Sequence, residues 1–140
     1  MEVNTPTKIT VEATINAPIE KVWEYWSGPE HITKWAHASN DWHTTRAENH
    51  LRAGGTFLSR MEAKDGSFGF DFGGVYDEIK TNELITYTLG DNRKVVIEFT
   101  KDGNSTKVVQ TFEAESTNSP ELQKTGWQAI LDNFKRYTEK

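Results

Sequence analysis

Apolar and polar residues alternate along most of the chain, and this period of two predicts β-strands. The alternation runs through "TKITVEATI" (7–15), "TFLSRMEAK" (56–64), "SFGFDFGGVYDEIK" (67–80), "LITYTLG" (84–90), "KVVIEFT" (94–100) and "TKVVQTFEAE" (106–115). A weaker strand is predicted around Trp42 to Ala47. Turn residues such as Asp65-Gly66 and Asp102-Gly103-Asn104 separate neighbouring strands, as is typical of hairpins. The pattern therefore predicts a largely antiparallel sheet of six or seven strands.

Helical periodicity is found near both ends of the chain. Apolar residues recur at i, i+3, i+4 and i+7 from Ile19 to Trp26, after Pro18 and before Ser27-Gly28-Pro29. A second short helix is predicted from Pro29 to about Trp35. The last helix is predicted over 120–138, with Ser119 as its N-cap. Strands grouped between terminal helices indicate an α+β fold, and a curved sheet needs the long helix to fill its concave face.

The segment 68–73 has three phenylalanines, Phe68, Phe70 and Phe72, that alternate with Gly69, Asp71 and Gly73. Alternation places the three rings on one face of a strand, so we expect them to face the long helix and Asp71 to face solvent. Gly73-Gly74 predicts a bulge or bend that lets the sheet curve.

Charge and composition exclude several classes of partner. The formal net charge is -5 and the isoelectric point is near 5.4, which argues against nucleic acids and anionic membrane surfaces. The 140 residues contain no cysteine, so disulfides and thiolate chemistry are ruled out. We find no signal peptide and no apolar stretch of the roughly 20 residues that a membrane span needs. We expect a single cytoplasmic domain over residues 1–140, with an ordered core at about 7–139.

Catalytic and metal-binding motifs are not recognisable in the sequence. The four histidines, at positions 31, 37, 43 and 50, have no metal-ligand spacing such as HExxH. The glycines do not form a phosphate-binding loop, and no Ser-His-Asp set is readable. We therefore predict no catalytic residue, metal or cofactor. An enzyme remains an alternative if Asp71, Arg60 or His43 faces inward.

Aromatic residues are numerous relative to aliphatic ones. The chain has five Trp, four Tyr and seven Phe, and stiff, bulky rings often line pockets as well as fill cores. From composition alone, a solid aromatic core is favoured over a cavity.

Several phrases, in their order along the chain, resemble one known family. "NAPIEKVWEYW" (16–26) is similar to the opening strand-to-helix segment of the START-like superfamily, which includes polyketide cyclases and lipid-transfer domains. "HITKW" (31–35), "LRAGGTF" (51–57), "GGVYDEI" (73–79) and "ELITYTL" (83–89) resemble the branch named after the activator of the 90-kDa heat-shock-protein ATPase. "TFEAE" (111–115) and "ELQKTGWQAILDNFKRY" (121–137) resemble the closing strand and helix of that branch.

The resemblance implies a helix-grip fold, in which a curved antiparallel sheet wraps around the C-terminal helix, and it implies a cavity between them. We therefore expect a small hydrophobic or amphipathic ligand to bind there. The expected ligand-binding residues are Trp26, Trp35, Trp42, Phe57, Phe68, Phe70, Phe72, Tyr87, Phe99, Phe112, Trp127, Ile130, Leu131 and Phe134. The alternatives are an interaction module that contacts a 90-kDa heat-shock chaperone and a cyclase- or hydrolase-like enzyme.

Overall fold

The computed structural model describes residues 7–140, which form seven strands and three helices. Two short helices follow the first strand, and one long helix follows the last strand. The strands are β1 (Lys8–Ile15), β2 (Trp42–Asn49), β3 (Thr56–Ala63), β4 (Gly69–Lys80), β5 (Leu84–Leu89), β6 (Lys94–Asp102) and β7 (Ser105–Glu113). The helices are α1 (Ile19–Ser27) and α2 (Pro29–Trp35), between β1 and β2, and α3 (Pro120–Glu139). No helix within residues 7–140 combines the length and the apolar character needed to cross a bilayer.

The seven strands form one antiparallel sheet in the order β1-β7-β6-β5-β4-β3-β2. Strands β2 to β7 follow one another as hairpins, whereas β1 lies beside β7 at the far edge. Asn82, Asn92, Gly66 and Gly103 have positive φ values in the tight turns, a conformation that Asn and Gly adopt most readily. With α3 against the concave face, this arrangement confirms the predicted α+β helix-grip fold.

Helix α3 begins as the sequence predicts. The Ser119 hydroxyl accepts a hydrogen bond from the backbone N–H of Leu122 at 3.2 Å, and Pro120 occupies the first helical position. The buried face of α3 carries Leu131 and Phe134, both 0% exposed. These two side chains anchor the helix in the core beside β1, with which α3 has its closest packing.

The core lies mainly under β1, β5, β6 and β7. Alternate residues of these strands are buried, among them Val11, Ile85, Val95, Ile97 and Val108, each 1% exposed or less. Burying such side chains stabilises the folded state by about 25 cal/mol per Å² of apolar surface removed from water. This half of the sheet therefore holds α3 in place.

The prediction that Phe68, Phe70 and Phe72 all face α3 is wrong for Phe68. Phe68 precedes the strand, and its ring contacts Trp42 at a centroid distance of 6.0 Å instead of facing α3. Phe70 also contacts Trp42, at 5.9 Å, and Phe68 and Phe70 are 61% and 40% exposed. Phe72 alone of the three reaches α3, at 6.2 Å from Trp127. Phe68 and Phe70 lie at the β3–β4 hairpin end, and Phe70 also borders the space between the sheet and α3.

The predicted bulge at Gly73-Gly74 is also displaced. Both residues keep regular register with β3, whereas the shift in pairing with β5 falls between Tyr76 and Glu78. A Cβ atom on Gly73 would lie 2.5 Å from the Phe57 carbonyl oxygen, and one on Gly74 would lie 2.4 Å from that of Thr88. These glycines permit close approach of neighbouring backbones instead of forming the bulge.

Candidate functional site

A cavity of about 230 Å³ lies between the helices and the concave face of the sheet. An apolar cavity of about 150 Å³ is large enough to bind benzene, so this space can hold a molecule of at least two fused rings. Its lining comes from every helix and from five strands. The lining residues are Trp26, Ile32, Trp35, Ala36, Glu48, Phe57, Ser59, Met61, Phe70, Phe72, Tyr76, Tyr87, Gln110, Trp127 and Ile130.

The cavity is open because α3 lies close to only one side of the sheet. The helix packs against β1, and it extends towards β4 only through long side chains such as Trp127. Trp26 and Trp35, from α1 and α2, contact each other and Phe134 at 4.9 Å in every pair. These bulky, stiff rings keep α1, α2 and α3 apart, so a space remains between the helices and the curved sheet.

Aromatic contacts form the walls of the cavity. On the sheet, Phe57 packs edge-on against Tyr87 at 4.7 Å and lies 5.1 Å from Tyr76. On the helix, Trp127 stacks on Phe112 at 3.8 Å with an interplanar angle of 10°. These contacts fix the orientation of Phe57, Tyr76, Tyr87 and Trp127, all four of which line the cavity.

Polar groups are few on these walls, and they are uncharged. Ser59 and Gln110 are 8% and 6% exposed and line the cavity from β3 and β7. Tyr76 donates a hydrogen bond to Asn49 Oδ1, and burial raises the pKa of its hydroxyl. Burial raises the pKa of Tyr87 as well, and the adjacent Gln110 amide partly offsets that rise. Both phenols therefore stay neutral across the physiological range.

Glu48 touches the lining, but its carboxylate belongs to the outer face. In the β2–β3 register, Glu48 pairs with Leu58, whereas its neighbours Ala47 and Asn49 pair with Ser59 and Phe57. Ser59 and Phe57 line the cavity, so alternation turns Glu48 away from it. Its side chain is exposed to solvent.

The structure places the fourteen predicted ligand-binding residues in three groups. Eight line the cavity: Trp26, Trp35, Phe57, Phe70, Phe72, Tyr87, Trp127 and Ile130. Four are buried in the core: Phe99, Phe112, Leu131 and Phe134. The remaining two, Trp42 and Phe68, form with Phe70 an exposed aromatic cluster next to the cavity.

Sequence reasoning missed Ile32, Ala36, Ser59, Met61, Tyr76 and Gln110. Strand alternation could have found four of them, because Ser59 and Met61 share a face with Phe57, Tyr76 shares one with Phe72, and Gln110 shares one with Phe112. Ile32 and Ala36 lie in α2 and at its C-cap, and seven residues are too few for a helical pattern to define a face.

Asp71, Arg60 and His43, which the enzymatic alternative would place inside, are not among the residues that line the cavity. Arg60 and Asp71 pair across β3 and β4 with a distance of 3.4 Å on the outer face, as expected for Asp71, and Arg60 also contacts Glu62 at 3.0 Å. His43 pairs in register with Glu62 on that same face. Among residues 7–140, no three His, Cys, Asp or Glu side chains are arranged to hold a metal ion.

A second, more open groove adjoins the cavity. Its volume is about 260 Å³, and it shares Phe72, Trp127 and Ile130 with the cavity wall. Its polar side contains Arg93, whose guanidinium pairs with Asp91 at 2.7 Å, and Gln123, whose amide bonds to the backbone of Glu115 and Asn118. The Arg93 guanidinium and the Gln123 amide of this groove therefore already have partners within the chain.

Comparison with solved structures supports this architecture along nearly the whole chain. An AHSA1-like protein from Aeromonas hydrophila is 44% identical, with 95% of this chain and 92% of that chain covered and a TM-score of 0.89. Protein Chr148 from Cytophaga hutchinsonii is 61% identical over 94% and 92% of the two chains, with a TM-score of 0.82. CV1439 from Chromobacterium violaceum shares the fold at 22% identity, with a TM-score of 0.87 over 96% and 99% of the chains.

The comparison with curated proteins gives no match. The family model described as "Activator of Hsp90 ATPase homolog 1-like protein" matches residues 16–139, which span the chain from the end of β1 to the end of α3. The helix-grip fold, the relatives at 44% and 61% identity and this match agree. The chain belongs to the AHSA1-like family, within the START-like superfamily.

Proposed function

We propose that this protein binds a small apolar or amphipathic molecule in the cavity between α3 and the sheet. The observation that carries the proposal is the space of about 230 Å³ walled by aromatic rings from both layers. Close packing fills most protein interiors, so a persistent apolar space of this size needs a reason. A ligand whose rings stack on Trp26, Trp35 and Trp127 supplies one.

Filling the cavity tests this proposal. Ala36 is 5% exposed and lines the space, so Ala36→Leu adds three carbons inside it. Ala53→Leu makes the same change at an exposed turn and is the matched control. With naphthalene as the probe, followed by NMR line shifts, we expect Ala36→Leu to weaken binding about tenfold or more, because a methylene-sized misfit is already felt in close-packed sites.

Two further outcomes decide the matter. Native mass spectrometry of freshly purified protein should detect a bound small molecule that is lost in Ala36→Leu. If naphthalene does not bind the unmodified protein, or binds both variants equally, the cavity is not a binding site.

A second candidate is interaction with a 90-kDa heat-shock chaperone, which the family name suggests and the exposed cluster of Trp42, Phe68 and Phe70 favours. Exposed aromatic clusters are enriched at protein interfaces. Chaperone ATPase rates measured with added protein test this candidate. Phe68→Ser should reduce any stimulation, and Leu122→Ser, which removes another exposed apolar side chain at 59% exposure, is the control. Rates that do not change across a wide concentration range would reject it.

A further inference from the structure

Among residues 7–140, no charged group is turned into the cavity, and the Arg93 guanidinium, whose charge acts on Tyr87, lies in the adjoining groove and pairs with Asp91. Of the residues that line the cavity, only Glu48 is ionic at neutral pH, and the β2–β3 register turns that side chain outward. The tyrosine hydroxyls remain neutral because burial raises the pKa of both Tyr76 and Tyr87. A carboxylate or ammonium group that entered would lose its hydration without gaining an ion pair.

Neutral hydrogen-bonding capacity is nevertheless present. Ser59 is 8% exposed and lines the cavity. Within residues 7–140, the fully enclosed side-chain atoms without a partner are His37 Nδ1 and Thr138 Oγ1, so the Ser59 hydroxyl is accessible from the cavity. Gln110 is also buried, and its amide offers two N–H donors and a carbonyl acceptor. The Tyr87 hydroxyl can occupy only part of that capacity. Both residues line the cavity, so a polar atom of a molecule inside it can form a hydrogen bond with either side chain.

We infer that the cavity selects an uncharged ligand, namely an aromatic or fused-ring molecule that carries a neutral hydroxyl or carbonyl group bound by Ser59 or by Gln110. This inference rests on the proposed function and specifies the class of ligand. The neutral donors and acceptors orient the molecule, and the rings supply the contact area. Acids and amines of the same shape are excluded by the cost of removing their charge from water.

A series of two-ring probes that differ in one substituent tests the inference. Naphthalene, 2-naphthol, 2-naphthoate and 2-naphthylmethylammonium are titrated separately into the unmodified protein by NMR near neutral pH. We expect 2-naphthol to bind more tightly than naphthalene, and both ions to bind at least about tenfold more weakly than 2-naphthol.

The outcomes separate this inference from the proposed function. If neither naphthalene nor 2-naphthol binds, the proposed function fails and the inference fails with it. If both bind but either ion binds within about threefold of 2-naphthol, the inference alone is overturned, since a buried uncompensated charge should cost more. Strong binding of 2-naphthoate would indicate that Arg93 in the adjoining groove reaches the ligand.

Variants identify which side chain forms the hydrogen bond with the polar atom of the ligand. Ser59→Ala and Gln110→Leu each remove one neutral partner, and the readout is the affinity ratio of 2-naphthol to naphthalene. At least one of them should lower this ratio about three- to tenfold, the value of one neutral hydrogen bond. The controls Ser116→Ala and Gln128→Leu lie outside the lining and should leave the ratio unchanged. An unchanged ratio in both cavity variants would overturn the assignment, and the charge series remains decisive if Gln110→Leu does not fold.

Discussion

Neighbouring residues of α3 have different environments on the two sides of this fold. Leu131 and Phe134 are fully buried in the packed half, whereas Trp127 and Ile130 are partly exposed and line the cavity. The packed half lies under β1, β5, β6 and β7, and most of the sheet residues that line the cavity come from β3 and β4. One helix can therefore be held rigidly by one side of a curved sheet while the other side stays free for a ligand. The close-packed half of the sheet therefore stabilises the fold, and the other half borders the cavity in which we propose that a ligand binds.

The largest expected effect comes from shortening side chains on the two sides of α3. Phe134→Ala should lower the free energy of unfolding by about 3–5 kcal/mol and Leu131→Ala by about 2–5 kcal/mol, because each leaves a cavity in close-packed surroundings. Ile130→Ala should cost only about 1 kcal/mol, since its side chain already borders open space. Urea unfolding of the three variants measures this. Equal losses for Leu131→Ala and Ile130→Ala would remove the distinction between the two halves.

The next effect concerns the backbone of the open half. Gly74→Ala places a Cβ atom 2.4 Å from the Thr88 carbonyl oxygen, so the strands must separate. We expect a loss of about 1–3 kcal/mol, as is usual for overpacking. Gly90→Ala meets no atom within 4 Å and is the control, with an effect within about 1 kcal/mol of zero. If thermal unfolding shows Gly74→Ala as stable as the unmodified protein, the open half is deformable in its sheet as well as in its helix contacts.

A smaller effect of opposite sign is expected in the packed half. The Thr138 side chain is 0% exposed, and its hydroxyl has no hydrogen-bond partner within the described chain. Thr138→Val keeps the shape and removes the unsatisfied polar group, so it should raise the free energy of unfolding by about 1 kcal/mol. The exposed Thr125 hydroxyl donates a hydrogen bond to the Glu121 carbonyl, so Thr125→Val, which removes a paired hydroxyl, provides the comparison. Destabilisation by Thr138→Val in calorimetry would show that the hydroxyl has a partner after all.

The smallest effect depends on pH. Burial, together with Lys64, Arg136 and His43, lowers the pKa of His37 in the folded protein below its ordinary value near 6.5. The unfolded chain therefore binds a proton at higher pH than the folded chain, and stability decreases as pH falls through and below about 6.5. His37→Gln should flatten this part of the stability curve, and His50→Gln, at an exposed position, should not. Parallel curves for His37→Gln and the unmodified protein would contradict the assignment.

The sequence determined the elements because their signals are local. Alternation, hairpin turns and the Ser119-Pro120 start of α3 involve residues close along the chain, and the strands and helices appear within a few residues of their predicted bounds. The resemblance then supplied the helix-grip arrangement, and eight of the fourteen proposed ligand-binding residues line the cavity.

Only the tertiary structure decided which rings fill the core and which leave a space. Phe112 and Phe72 follow the same alternation, yet Phe112 is stacked beneath Trp127 in the core and Phe72 borders the cavity. The distinction depends on how far α3 stands from each strand, which side-chain volumes on several elements set together. Alternation places Ser59 and Gln110 on the inner face, but only the distance between α3 and each strand decides that both border the cavity and are not enclosed in packed core.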